Sequence, residues 1–320
     1  STLLGWDYPS SLLLASAIIV IYTATGGFLA VTYTDWVQFT LLFVGIVIVG
    51  IPIAVANGGT WEAFSNQLPP GHMNPIGWGL PTMLALGVSI PLSFFVAMDS
   101  YTRMFAAKDE TTAKHGTLLA AVFLLPLIIG AIWLGLTAAL LYPDVESGGD
   151  ILSRLVMDIF PVGLKGLLLV GILAALMSTA DICILTAAAN GSRDIYQRYI
   201  NPEVSPPKLF RYSMYLAAIV GAASGLMALV MQDVIGILLL AFTINAAALF
   251  VPTIAMMTLE KVNTDAAFWS ISLALLTVIA WYGASAMNLA PVFNNDPLWP
   301  GLTVSIVIFF GISLLGSKSE

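Results

Sequence analysis

The chain has 320 residues, 59% of them hydrophobic and 9% charged, with a net charge of −7. A soluble domain carries about 25% charged residues, so this composition, with a mean hydropathy of +0.94, excludes a water-covered globule and makes lipid the main solvent. The single cysteine, Cys183, excludes an internal disulfide and a cysteine metal cluster, and His72 and His115 stand far apart without metalloprotease spacing.

Ser1 opens the chain without the basic segment and cleavage pattern of a signal peptide, and is read as the continuation of a longer protein. A bilayer-spanning helix needs about 20 mostly apolar residues. That window predicts nine helices, at 10–30, 36–56, 79–98, 118–141, 164–189, 211–231, 234–257, 268–287 and 299–315. These runs lack the alternation of a membrane β-barrel. The expected fold class is therefore all-α, a polytopic membrane bundle forming one transmembrane domain over residues 1–320.

Between the first two helices, Tyr33-Thr34-Asp35-Trp36-Val37-Gln38 reads as a tight junction. Asp35 there is a helix N-cap, an ion-binding carboxylate, or both. The third helix contains Pro81, Gly87 and Pro91, which predicts an interruption; such breaks mark transporter binding sites or simple kinks. Ser89, Ser93, Phe94 and Phe95 flank it and offer hydrogen bonds and stacking to a small solute. Residues 150–160 carry apolar positions at 3–4 spacing, which predicts an amphipathic helix lying on the outer surface.

The fifth helix holds Ala175, Ser178 and Thr179 at i, i+3 and i+4, on one face, and then Asp181. Hydroxyls and the carbonyls they loosen are hard oxygen ligands for Na⁺, although Ser and Thr also serve plain helix contacts. A carboxylate at the depth of Asp181 is costly and marks a functional position. The fifth helix is expected to continue through 191–200 until Asn201-Pro202 ends it. In the seventh, Thr243 and Asn245 stand among Leu and Ala, Asn245 as a ligand or as interhelical glue. Trp61, Trp78, Trp133 and Trp299 fit interface belts.

Lys and Arg set the expected orientation. With alternating helices, Arg103, Lys108, Lys114, Arg193, Arg198, Lys208, Arg211, Lys261 and Lys318 share one side, and only Arg154 and Lys165 the other. The N-terminus of the chain is then outside and the C-terminus cytoplasmic, in the plasma membrane. No Gly-rich phosphate loop and no nucleophile–base pair occurs, so neither an enzyme nor an ATP-driven pump is expected, and no nucleic-acid partner.

Three stretches now carry a resemblance. They are Tyr22-Thr23-Ala24-Thr25-Gly26-Gly27-Phe28-Leu29-Ala30-Val31 with Thr34-Asp35-Trp36-Val37-Gln38, then Asp99-Ser100-Tyr101-Thr102-Arg103-Met104-Phe105-Ala106-Ala107-Lys108-Asp109, then Leu173-Ala174-Ala175-Leu176-Met177-Ser178-Thr179-Ala180-Asp181 with Arg193-Asp194-Ile195-Tyr196. In this order and spacing the chain resembles the sodium:solute symporter family over nearly its whole length. The resemblance implies a LeuT-like fold of two inverted five-helix repeats, in which these nine helices are the last of about thirteen.

It also implies sodium-coupled symport of a small organic solute by alternating access, with Na⁺ as coupling ion and no organic cofactor. Carried over residue by residue, the Ala175 carbonyl, Ser178 and Thr179 resemble half of the main sodium site. Asp35 resembles the aspartate of cation release or of a second sodium site. That second site also uses the positions of Ser178, Asp181 and Ile182; here Ile182 lacks an oxygen and Asp181 brings a carboxylate. The proline symporters' Trp, Tyr and Pro in the third helix correspond to Ile90, Phe94 and Met98, which argues against a proline pocket. An amino acid, carboxylate or compatible solute is the expected substrate class. A transporter-like sensor module and a passive channel are the alternatives; the chain's end at Lys318-Ser319-Glu320, without a kinase domain, argues against the first.

Overall fold

The computed structural model describes residues 6–74, 76–144, 148–230 and 233–316. In chain order its helices are α1 Tyr8–Phe43, α2 Ile51–Ala56, α3 Trp61–Gln67, α4 Leu80–Val96, α5 Met98–Phe105, α6 Glu110–Leu141, α7 Gly148–Ile159, α8 Leu164–Ala189, α9 Pro206–Val230, α10 Val234–Ile244, α11 Phe250–Thr258, α12 Thr264–Ala286 and α13 Leu298–Gly316. Wider π-helical turns continue α1 (Val44–Gly50), α8 (Asn190–Ile200) and α10 (Asn245–Leu249). No strand occurs among the described residues, as the apolar runs require.

Among the described residues, six helical stretches are long and apolar enough to cross a membrane, and the bent pair α4–α5 makes a seventh. Nine spans are reached only by dividing the first stretch and adding the shorter α13, so the expected count is not established by length. The first stretch, Tyr8–Ala56, has 49 residues. At 1.5 Å per residue that is about 74 Å, more than twice the hydrocarbon thickness. It breaks at Gly27, whose φ of 62° lies in the left-handed region that glycine enters freely.

The junction therefore falls at Gly27 and not at 33–38. Asp35 lies inside helical backbone beyond it, which removes the N-cap reading; the N-cap of α1 is Asp7, whose carboxylate accepts from the Ser10 N–H. The third helix also differs from expectation. α4 runs unbroken through Gly87 and Pro91, and the break comes at Ala97, in extended backbone, where α5 turns away by 43°. A membrane helix tolerates proline when neighbours absorb the lost bond. At the actual break the Tyr101 hydroxyl donates to the Phe95 carbonyl at 2.7 Å, capping an acceptor that α4 leaves open.

Among the described residues the helices fall into two compact units, α1–α3 with α6–α9, and α4–α5 with α10–α13. In the first unit, Ile46, Ala54, Leu134, Ala138 and Leu168 form a core with Leu155, Val156 and Phe160, so the amphipathic helix predicted at 150–160 exists as α7 and buries its apolar stripe. Its polar side is tied to the end of α6. The Tyr142 hydroxyl donates to Asp158 at 2.7 Å while the Arg154 guanidinium lies over the Tyr142 ring. Burial and the adjacent Asp158 carboxylate push the Tyr142 hydroxyl up to about 12, so it remains a donor at neutral pH. Trp133 turns its indole N–H to the Gly59 carbonyl, and its ring meets Phe64 edge to face.

α1 and α8 approach through glycines. A Cβ on Gly45 would lie 3.3 Å from the Leu168 Cα, and one on Gly171 would lie 3.0 Å from the Leu41 carbonyl oxygen. Small residues let membrane helices meet at this distance, where dispersion replaces the absent hydrophobic drive.

In the second unit, α12 and α13 are joined by buried Ser270, whose hydroxyl lies 2.9 Å from both the Ser305 hydroxyl and the Ser305 carbonyl. Ser270→Ala leaves that carbonyl short of a partner. The expected loss is about 0.5–2 kcal/mol, the range for interhelical hydrogen bonds in membranes. Thermal unfolding in detergent reads it as a lowered midpoint.

Candidate functional site

α8 is a continuous apolar helix whose buried stripe runs Leu168, Gly171, Ala174, Asp181, Ile182, Ile184 and Ala188, the side turned to its neighbours. Ala175, Ser178 and Thr179 sit beside that stripe. The structure brings them together on one oxygen: Ser178 donates to the Ala175 carbonyl at 3.0 Å and Thr179 donates to the same carbonyl at 3.2 Å. Hydroxyls that reach back one turn are common on helices, and Thr40 and Thr303 do so elsewhere in this chain. Two hydroxyls converging on one carbonyl is a different arrangement. It gathers three neutral oxygens, of which the two hydroxyls keep lone pairs to ligate, and neutral oxygens are the hard donors that Na⁺ prefers.

Asp181 is fully buried, one turn further along α8. The Tyr22 hydroxyl of α1 donates to its Oδ2. Tyr22 was not expected at the site. The available signal was the position of Tyr22 deep inside the first apolar window, away from the interface where membrane tyrosines usually sit.

Asp35 is half-buried on α1. Gly45 packs on Leu168, and Gly171 packs on Leu41 and Leu42, so the two helices run antiparallel in a defined register. Carried along both, it sets Gln38 level with Ala175 and Asp35 level with Ser178. The same register pairs Val31 with Ile182, and both are buried.

The remaining predicted residues lie in the second unit. Ser89 and Ser93 are buried on α4. Asn245 opens the π-helical turn after α10 and donates from Nδ2 to the Ser93 hydroxyl at 3.3 Å. Thr243 is buried beside it. Phe94 is 53% exposed with its ring against Phe242, while Phe95, 39% exposed, meets Phe250 edge to face. Ser93 and Asn245 are thus brought together; Phe94 and Phe95, adjacent in sequence, point to different partners.

Long apolar helices with polar groups paired at their seams define a multi-pass α-helical membrane protein. The sodium:solute symporter family model matches residues 1–273, and the chain belongs to that family. It is similar to the sodium/myo-inositol cotransporter 2 of Oryctolagus cuniculus, 26% identical, over 81% of this chain and 45% of the relative. It is also similar to the high-affinity proline transporter PutP of Bacillus subtilis (24%; 98% and 67%) and to the sodium/pantothenate symporter of Haemophilus influenzae (24%; 99% and 66%). A solved structure of a Na⁺-coupled sialic acid symporter, in a substrate-bound outward-open state, matches with a TM-score of 0.72 at 21% identity, over 97% of this chain and 66% of that one. The chain therefore spans between about half and two thirds of the length of these proteins, and the LeuT-like fold expected from the resemblance is its fold.

Proposed function

We propose that the protein is a sodium-coupled symporter of a small organic solute, working by alternating access as one transmembrane domain, with the N-terminus of the chain outside and the C-terminus in the cytoplasm. The observation that carries this reading is the convergence of Ser178 and Thr179 on the Ala175 carbonyl. Those oxygens form one half-shell for Na⁺, and Asp35, level with Ser178 across the α1–α8 seam, supplies charge beside the exit path. Asp181 adds a second carboxylate on the same face. Ser89, Ser93 and Asn245 hold the polar end of a solute, and Phe94 and Phe95 cover its apolar part. The bend at Ala97 is where α4 and α5 change their angle between states.

Each Na⁺ moving inward delivers its concentration gradient plus about 2.3 kcal/mol per 100 mV of membrane potential. The substrate class is an amino acid, a carboxylate or a compatible solute. The relatives named above and the donor set on α8 support sodium coupling and lend nothing to a sensor or a passive channel. Counterflow in proteoliposomes tests the reading with candidate solutes of these classes. Replacing Na⁺ by K⁺ is expected to abolish accumulation. Uptake indifferent to that exchange for every solute overturns it.

A further inference from the structure

The Tyr22–Asp181 contact joins two groups that the sodium reading leaves without a common role. Asp181 is the buried carboxylate of α8, and Tyr22 comes from the segment of α1 before the Gly27 break. A carboxylate in a membrane interior has to be held by donors. A tyrosine holds one well, because its hydroxyl rides on a ring with only two rotatable bonds and loses little entropy when fixed. The donation goes to Oδ2 and restrains the carboxylate.

Asp181 follows Ser178 by three residues and so shares its face. The hold of Tyr22 on that carboxylate therefore bears on how its charge is presented beside Ser178. The Tyr22–Asp181 hydrogen bond thus ties α1 to α8 within the first compact unit.

We propose that Tyr22 is a positioning residue for cation binding: it holds the Asp181 carboxylate on the face it shares with Ser178 and so sets cation affinity and selectivity through Asp181. This rests on the sodium reading of α8 given above. Its distinctive consequence is conditional. Removing the Tyr22 hydroxyl matters only while Asp181 is a carboxylate, whereas a tyrosine that merely fills space matters equally in either case.

The test reads Na⁺ and Li⁺ binding to the purified protein as ion-dependent thermal stabilisation at constant ionic strength, with choline as the inert cation. Tyr22→Phe is expected to raise the half-saturating Na⁺ concentration about fivefold, the scale of one hydrogen bond, and to change the Li⁺ to Na⁺ ratio. Tyr22→His, which keeps a ring-borne N–H donor, is expected to fall between it and the wild type. In an Asp181→Asn background, Tyr22→Phe is expected to change neither quantity.

Equal effects in both backgrounds, or an unchanged half-saturation and ion ratio in Tyr22→Phe, overturn the proposal. Should Tyr22→Phe fail to fold, the same comparison is made with Tyr22→His. Thr179→Ala is run alongside. If it raises the Na⁺ requirement while Tyr22→Phe does not, only the role of Tyr22 falls; if Thr179→Ala also leaves Na⁺ binding unchanged, the sodium site on α8 falls with it.

Discussion

Gly171→Leu is expected to yield no folded protein, and Gly171→Ala a folded but clearly weakened one. A Cβ at residue 171 would stand 3.0 Å from the Leu41 carbonyl oxygen, 3.2 Å from the Leu42 Cα and 3.3 Å from the Leu41 carbonyl carbon. All three are backbone atoms of α1, so no rotamer change can make room. The helices must separate along the seam, and overpacking of this kind costs about 1–3 kcal/mol for one extra carbon. A leucine asks for far more space than the seam can open. The same displacement shifts the face that carries Ala175, Ser178 and Asp181 away from Asp35 and Tyr22, so the surviving Gly171→Ala protein should also show weaker stabilisation by Na⁺. Gly135 provides the control. It lies on α6, where a Cβ meets nothing within 4 Å, and Gly135→Leu is expected to leave both the melting midpoint and its response to Na⁺ near wild type. Size-exclusion profiles and thermal unfolding in detergent decide the matter; equal behaviour of the two leucine variants refutes the close seam.

The parts of this architecture that were legible in the sequence are those written in local periodicity. α8 begins and ends where its apolar window does, and α7 appears where 3–4 spacing placed an amphipathic helix. The breaks were not legible in the same way. The polar run Tyr33–Gln38 looks like a junction, yet its side chains are accommodated within a continuing helix, and the turn is taken by Gly27, where a positive φ is needed. Pro91 looks like a helix breaker, yet α4 runs through it to Val96, with Ala97 as its C-cap. Both errors come from reading breaks off composition, when what decides them is whether neighbouring helices satisfy the backbone. At the site, Ala175, Ser178 and Thr179 were readable because one helical turn brings them together. Tyr22 and Asp181 are 159 residues apart, and no spacing rule connects them. Only the folded α1–α8 seam does.

Replacing Ser178 and Thr179 together by alanine is expected to raise the half-saturating Na⁺ concentration on the order of a hundredfold, about tenfold or 1.4 kcal/mol for each oxygen lost. The argument turns on separating two uses of a hydroxyl. In the structure both hydroxyls donate to the Ala175 carbonyl, and a hydroxyl so engaged keeps its oxygen lone pairs free to accept or to ligate. If their role were only to satisfy that carbonyl, alanine would remove two weak back-bonds, which at most straighten the helix slightly. Stability would then move a little and the Na⁺ requirement not at all. If they ligate, the ion loses two of the three oxygens gathered on α8, and its binding must weaken whatever happens to the helix. Thr303→Ala separates these cases, since Thr303 makes the same back-bond, to Trp299 at 2.7 Å, on a helix that carries none of the proposed ligands. It should shift the Na⁺ titration by less than about twofold, under 0.5 kcal/mol. A double alanine variant that behaves like Thr303→Ala in that titration returns Ser178 and Thr179 to ordinary helix contacts and removes the sodium site from α8.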